Sequence, residues 1–141
     1  MDAKTIFQPK IWYIIAGAMA LIGGIENYYN AESWAKGAWG ADGLNDQSIA
    51  MEKLFGLFMA GFGAMGLTCA FALDGKAQAK FALANGAVIS LLFVAMFSLL
   101  PSTGYEMPGA AFLAPPFIFM GGLMASGYLH MNDDEAAPAE A

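Results

Sequence analysis

The sequence contains no arginine, and only one histidine and one cysteine, among its 141 residues. Without arginine it lacks the planar fork that grips carboxylates and phosphates through paired hydrogen bonds. The six lysines are outnumbered by twelve acids, for a net charge of −6. That balance excludes nucleic acid as a partner, because neutralising phosphates takes clustered positive charge. The lone Cys69 can form neither an intramolecular disulfide nor a Cys-x-x-Cys redox pair. The lone His130 cannot build a zinc site or supply the histidine pair that holds a haem between helices. Gly-x-Ser-x-Gly, the phosphate loop Gly-x-x-x-x-Gly-Lys-Ser/Thr and His-Glu-x-x-His are all missing. With no recognisable catalytic motif, the chain reads as a protein that is not an enzyme.

Charge of either sign is also scarce. Charged residues make up 13% of the chain and hydrophobic ones 58%, against roughly 25% charged in a soluble domain. A chain of this length holds one domain, so any function sits in a single compact unit. The hydrophobic excess is gathered into four runs, Ile11 to Tyr29, Leu54 to Leu73, Phe81 to Leu100 and Ala110 to Leu129. As a helix, each rises about 30 Å, the hydrocarbon thickness of a bilayer. Glu26 is the one formally charged residue inside any of them. Helices buried in a soluble core would repeat a polar face every 3.6 residues, and the second and third runs do not. Lys4 and Lys10 precede the first run as in a signal peptide. The small residues Ala18-Met19-Ala20 lie in the middle of that run, however, so it reads as a retained span.

The expected fold is therefore all-α: a four-helix transmembrane bundle running up-down-up-down over residues 1–131, followed by an acidic, disordered tail from Asn132 to Ala141. Loop one, Asn30 to Lys53, is the longest; its last part starts helix two early, with Asp46 or Ser48 as N-cap. Tyr28, Tyr29, Trp34 and Trp39 fit an interfacial aromatic belt. Loop two, Asp74 to Lys80, is short enough to force helices two and three antiparallel. Loop three carries the turn formers Pro101, Gly104 and Pro108. Helix four either kinks or starts at Pro115-Pro116. Lys4, Lys10, Lys76 and Lys80 on one side, against Lys36 and Lys53 on the other, put both termini on the cytoplasm-like face.

Hydrophobicity cannot drive helices together inside lipid, so close contacts are expected where side chains are small. Ala16, Ala20 and Gly24 on helix one meet that need, as do Gly56, Ala60, Gly63, Ala64 and Gly66 on helix two. Helix three offers Ala82, Gly86 and Ser90, and helix four offers Gly121, Gly122, Ala125 and Ser126. The phenylalanines, Phe55, Phe58, Phe62, Phe71, Phe93, Phe97, Phe112, Phe117 and Phe119, are left to face lipid, pigment or a neighbouring subunit.

Ionisable and amide groups at membrane depth are costly and mark the candidate sites. Glu26, with Asn27 beside it, ends helix one in a polar cluster able to bind a cation, relay protons or ligate a cofactor, or simply to cap the bundle. Glu52 falls on the same side, where it either faces Glu26 and shares a proton with it or pairs with a nearby lysine. Asn85 sits inside helix three, either bridging helices or acting as a weak cofactor ligand, and His130 closes helix four on the side away from Glu26.

The Gly-rich first span, the long first loop, the Glu52-Lys53-Leu54-Phe55-Gly56-Leu57-Phe58 approach to helix two and the tight second loop resemble small four-helix membrane proteins of the DoxX-like type, in outline over residues 10–130. That group includes members associated with respiratory quinol oxidation. The resemblance implies the fold and transfers no catalytic residue. Three roles follow from these features. One is a non-catalytic membrane subunit packed against partner chains of a respiratory or photosynthetic complex, or against copies of itself. Another is an oligomeric transporter or channel with Glu26, Asn27 and Asn85 along a polar path. The last is a component that binds quinone, lipid or pigment near Glu26 and the interfacial tyrosines.

Overall fold

The computed structural model describes residues 2–107 and 109–133. Pro108, the side chain of Phe112 and residues 134–141 of the expected tail lie outside the described residues. The described chain is all-helical with no strand: α1 (Ala3–Ile6), α2 (Pro9–Tyr29), α3 (Ala31–Trp39), α4 (Asp46–Ala72), α5 (Gly75–Leu99) and α6 (Ala110–His130), with a 3₁₀ turn over Leu100–Thr103 extending α5. Among the described residues, three stretches are long and apolar enough to cross a membrane: Ala3–Tyr29, Asp46–Ala72 and Gly75–Thr103. In the last, 6% of the most apolar window is buried within the protein, so hydrocarbon or another chain must cover the rest.

Local chemistry explains where these helices start and stop. Pro9 sits in the first turn of α2, where a missing N–H costs nothing. At α4 the cap is Asn45, ahead of both Asp46 and Ser48, the two residues expected. Its side-chain oxygen accepts from the N–H groups of Gln47 (2.9 Å) and Ser48 (3.0 Å), while its own N–H donates to Ser48 Oγ (3.0 Å). The α4–α5 connection is tighter than the sequence suggested, with only Leu73 and Asp74 between the helices and Gly75 supplying a positive φ of 54°. Buried Gln78 completes it. Its amide donates to the carbonyls of Cys69 (3.1 Å), Ala70 (3.1 Å) and Leu73 (2.7 Å) at the end of α4, where the Cys69 carbonyl also accepts from the Leu73 N–H (3.3 Å).

The reading of loop one needs correction. Residues 31–39 form a helix, α3, whose alanines 31, 35 and 38 are buried at helical spacing, with Glu32 in its first turn and Lys36 in its last, each matched to the helix dipole. For helix four, where the sequence left open a kink or a start at Pro115-Pro116, α6 begins at Ala110, where the apolar run begins, and carries both prolines inside it.

The helices pack as two antiparallel pairs. α2 lies on α4 at glycine-to-backbone distance in two places, Gly17 with Gly63 and Leu67, and Gly24 with Gly56 and Ala60. A Cβ added to Gly24 would sit 2.5 Å from the Gly56 carbonyl oxygen, and one added to Gly56 would sit 2.7 Å from that of Gly24. α6 meets α5 in the same way, Gly127 against Ala79 and Leu83, and Gly86 against Met120 and Met124. The pairs join at one end, where Tyr13, Ala70, Ala82 and Leu123 form a small core and the Trp12 ring occupies the space a side chain at Gly122 would need. At that end Lys4 and His130 both bond Asp133, and His130 Nε2 lies 3.1 Å from the Lys4 carbonyl oxygen. Hydrogen bonds from Lys4 and then His130 hold the Asp133 carboxyl below its usual range. The expected tail is thus fastened at its second residue.

Alanine at Gly24 should push α2 off α4 and cost about 1–3 kcal/mol. Alanine at Gly61, where nothing lies within 4 Å of the new Cβ, should leave stability within about 0.5 kcal/mol or raise it slightly. Thermal unfolding of both variants in the same detergent measures the difference, which should vanish if α2 and α4 are not in contact.

Candidate functional site

Away from the joined end, the two helix pairs separate. The space between them is a cavity of about 940 Å³, walled by the second half of α2, the first half of α4, the end of α5 and the start of α6. Its walls are apolar, with Met19, Met59, Phe55, Phe93, Met96 and Phe97 among them. Phe93 and Phe97 stack one turn apart at 5.7 Å, and both lean on Phe117 of α6, at 6.2 and 6.1 Å.

The polar groups collect at one end. Asn27 and Glu52 are 6% and 4% exposed, and the Asn27 amide donates to Glu52 Oε2 at 3.1 Å. Asn27 Oδ1 receives no hydrogen bond. Helical register brings the two residues together: Asn27 lies about one turn beyond Gly24 on the face α2 turns to α4, and Glu52 lies one turn before Gly56 on the answering face. Glu26, the residue before Asn27 on α2, also lines the cavity and accepts from Asn30 Nδ2 (2.9 Å) and Trp34 Nε1 (3.0 Å). Among the described residues Glu52 has no ion pair, so neither the lysine partner nor a hydrogen bond to Glu26 is present.

Aromatic rings roof this end. Trp39, at the close of α3, meets Tyr105 edge to face at 4.9 Å, and the Glu106 N–H donates to the Ala38 carbonyl at 2.6 Å, tying α3 to the segment after α5. Burial first, and the negative charge of Glu52 second, push the Tyr105 hydroxyl up to about 12, so it stays neutral and keeps its proton to donate.

Of the five residues singled out in the sequence, Glu26, Asn27 and Glu52 line this cavity, while Asn85 and His130 do not. Asn85 donates to the Tyr13 hydroxyl at 2.9 Å in the joined end. His130 lines a separate hollow of about 210 Å³ with Gln8, Pro9 and Lys10. A polar path from Glu26 and Asn27 to Asn85 would have to cross the Tyr13 core. Tyr105 and the Phe93–Phe97 pair were not anticipated as site residues. The spacing of Phe93, Met96 and Phe97 was the available signal, since it sets three large, soft side chains on one face of α5. No family model matches the chain, and neither a characterised protein nor a solved structure resembles it, so the DoxX-like likeness gains no further support.

Replacing Asn27 with alanine strands the Glu52 carboxyl without its donor and should cost about 1–3 kcal/mol in unfolding experiments. Removing both partners, Asn27→Ala with Glu52→Ala, should cost less than the sum of the single changes. Strict additivity would mean the two side chains do not interact.

Proposed function

We propose that the chain is a non-catalytic, four-helix transmembrane protein, with both termini on the cytoplasm-like face, that holds an amphipathic small molecule of the lipid, quinone or pigment kind. The cavity carries this reading. Its volume of about 940 Å³ falls in the range of small-molecule sites, about 300–1,000 Å³. Its long apolar walls suit a greasy body, and the few polar groups at one end suit a head that needs orienting. Four spans in up-down-up-down order agree with the antiparallel contacts of α2 with α4 and of α5 with α6. Termini on a common face agree with the Lys4–Asp133 bond, and the lysine distribution favours the cytoplasm-like side.

The accessory-subunit role draws on outward apolar faces such as Val88, Leu91, Leu92 and Val94 of α5. Hydrocarbon covers such a face as readily as a partner does, so it favours neither. The cavity is internal to one chain and needs no partner to define it, which is why ligand binding is the stronger reading.

Extraction in mild detergent followed by native mass spectrometry should find the protein carrying a small-molecule adduct, and its absorption spectrum should separate pigment or quinone from lipid. Gly23 lines the cavity, and a Cβ there would meet only Met59 Cε, at 3.8 Å. Gly23→Leu should therefore fill the space and lose the adduct while keeping the helical circular dichroism. Wild type without an adduct, or a Gly23→Leu variant that retains one, contradicts the proposal.

A further inference from the structure

At the α2–α4 contact, two buried polar groups that already touch each lack a partner. Glu52 is 4% exposed; among the described residues it accepts from Asn27 Nδ2 at 3.1 Å and pairs with no cation. Asn27 is 6% exposed, and its Oδ1 accepts no hydrogen bond. That oxygen lies in the seam between the helices, where a Cβ added to Gly56 would sit 3.0 Å from it. A carboxylate taken out of water without a cation is so costly that such groups neutralise instead. An amide oxygen buried without a donor is costly as well. One proton on Glu52 meets both needs, because it removes the charge and supplies the missing donor.

We infer that Glu52 is a proton-binding site, occupied at neutral pH: its carboxylic acid donates to Asn27 Oδ1 while Asn27 Nδ2 donates back to Glu52 Oε2, closing an acid–amide ring between α2 and α4. Both side chains end in planar forks whose last torsion is soft. With one leg of the ring already made, the second is a matter of turning about those bonds. The surroundings hold no cation that would keep Glu52 ionised. The titratable side chains sharing the cavity wall with it are Glu26 from α2, an acid, and Tyr105 from the segment after α5, a neutral phenol. Asp46 and Lys53 of α4, Glu32 and Lys36 of α3, and Glu106 are exposed and outside that wall. Nothing bound in the cavity is needed for this ring, which lies in the seam between the two helices.

Solid-state NMR of the full chain in lipid bilayers, with carbon-labelled glutamate and asparagine assigned through backbone correlations, tests the ring directly. At pH 7 the Glu52 carboxyl carbon should resonate as a protonated acid. As the pH is raised it should move to the ionised position, and the Asn27 side-chain carbonyl carbon should move with it over the same range. A Glu52 carboxyl already ionised at pH 7 overturns proton binding there. A protonated Glu52 whose titration leaves the Asn27 carbonyl unmoved overturns the ring. A second measurement uses Glu52→Gln, whose amide offers Asn27 Oδ1 the same donor without a titrating proton. The folded wild type keeps a proton that the unfolded chain releases near the ordinary value of about 4.3, so its stability falls as pH rises from there through the titration of Glu52. Across that window the wild-type folding constant should drop about tenfold per pH unit relative to that of Glu52→Gln. Wild type and variant losing stability in parallel would contradict the assignment.

Discussion

Backbone-to-backbone contact between α2 and α4 sets everything else in this molecule. In hydrocarbon a leucine gains nothing by touching another leucine, so association depends on packing and on polar contacts. Gly17, Gly24, Gly56 and Gly63 let two helices approach until one backbone touches the other, over two sites seven residues apart on each helix. That spacing keeps the contact on one face through two turns, and the same register carries Asn27 onto Glu52 at its far end. The polar pair that defines the candidate site is thus a consequence of the glycine contact.

A second consequence is the cavity itself. α2 is committed to α4 along its length, and α6 to α5, so the two pairs share contacts mainly at the joined end, around Tyr13 and Leu123. There the large Trp12 and Tyr13 are accommodated by Gly122, Ala70 and Ala82. Toward the other end the facing residues are bulky, Phe55 and Met59 on α4 and Phe93 and Phe97 on α5, and these line a space rather than interlock. The Trp39–Tyr105 contact and the hydrogen bond from Glu106 to Ala38 close the roof without filling it.

Much of the fold was legible because length and hydropathy report directly on helices that hydrocarbon can surround. The runs at Ile11, Leu54 and Phe81 fall within helices, apart from Leu73 just past the end of α4, and the small residues at 24, 56, 63 and 86 lie at helix contacts. α3 was missed although its signals were present, in buried alanines at 31, 35 and 38, Glu32 and Lys36 suited to the helix dipole, and a stop at Gly40. Its two tryptophans and Gly37 read as an interfacial loop. Gln78 was passed over because a side chain capping the preceding helix leaves no periodic trace. The site was half legible. Glu26 and Asn27 stood out as polar groups in an apolar run, but the pairing of Asn27 with Glu52 depends on the antiparallel register of α2 and α4, and the contribution of Tyr105 depends on a contact with α3. No local pattern encodes either. Asn85 and His130 stood out for the same reason as Glu26, and they lie away from the large cavity, bonded to Tyr13 and Asp133.

The most direct test of the glycine contact is a solid-state NMR measurement of through-space correlations on the protein in lipid bilayers with labelled glycine and alanine. Cross-peaks joining Gly24 to Gly56 and Ala60, together with one joining Gly17 to Gly63, are the expected result. Their absence, or correlations that pair Gly17 with Gly56 and Gly24 with Gly63, would mean that α2 and α4 do not meet in this antiparallel register, and the Asn27–Glu52 site would go with it.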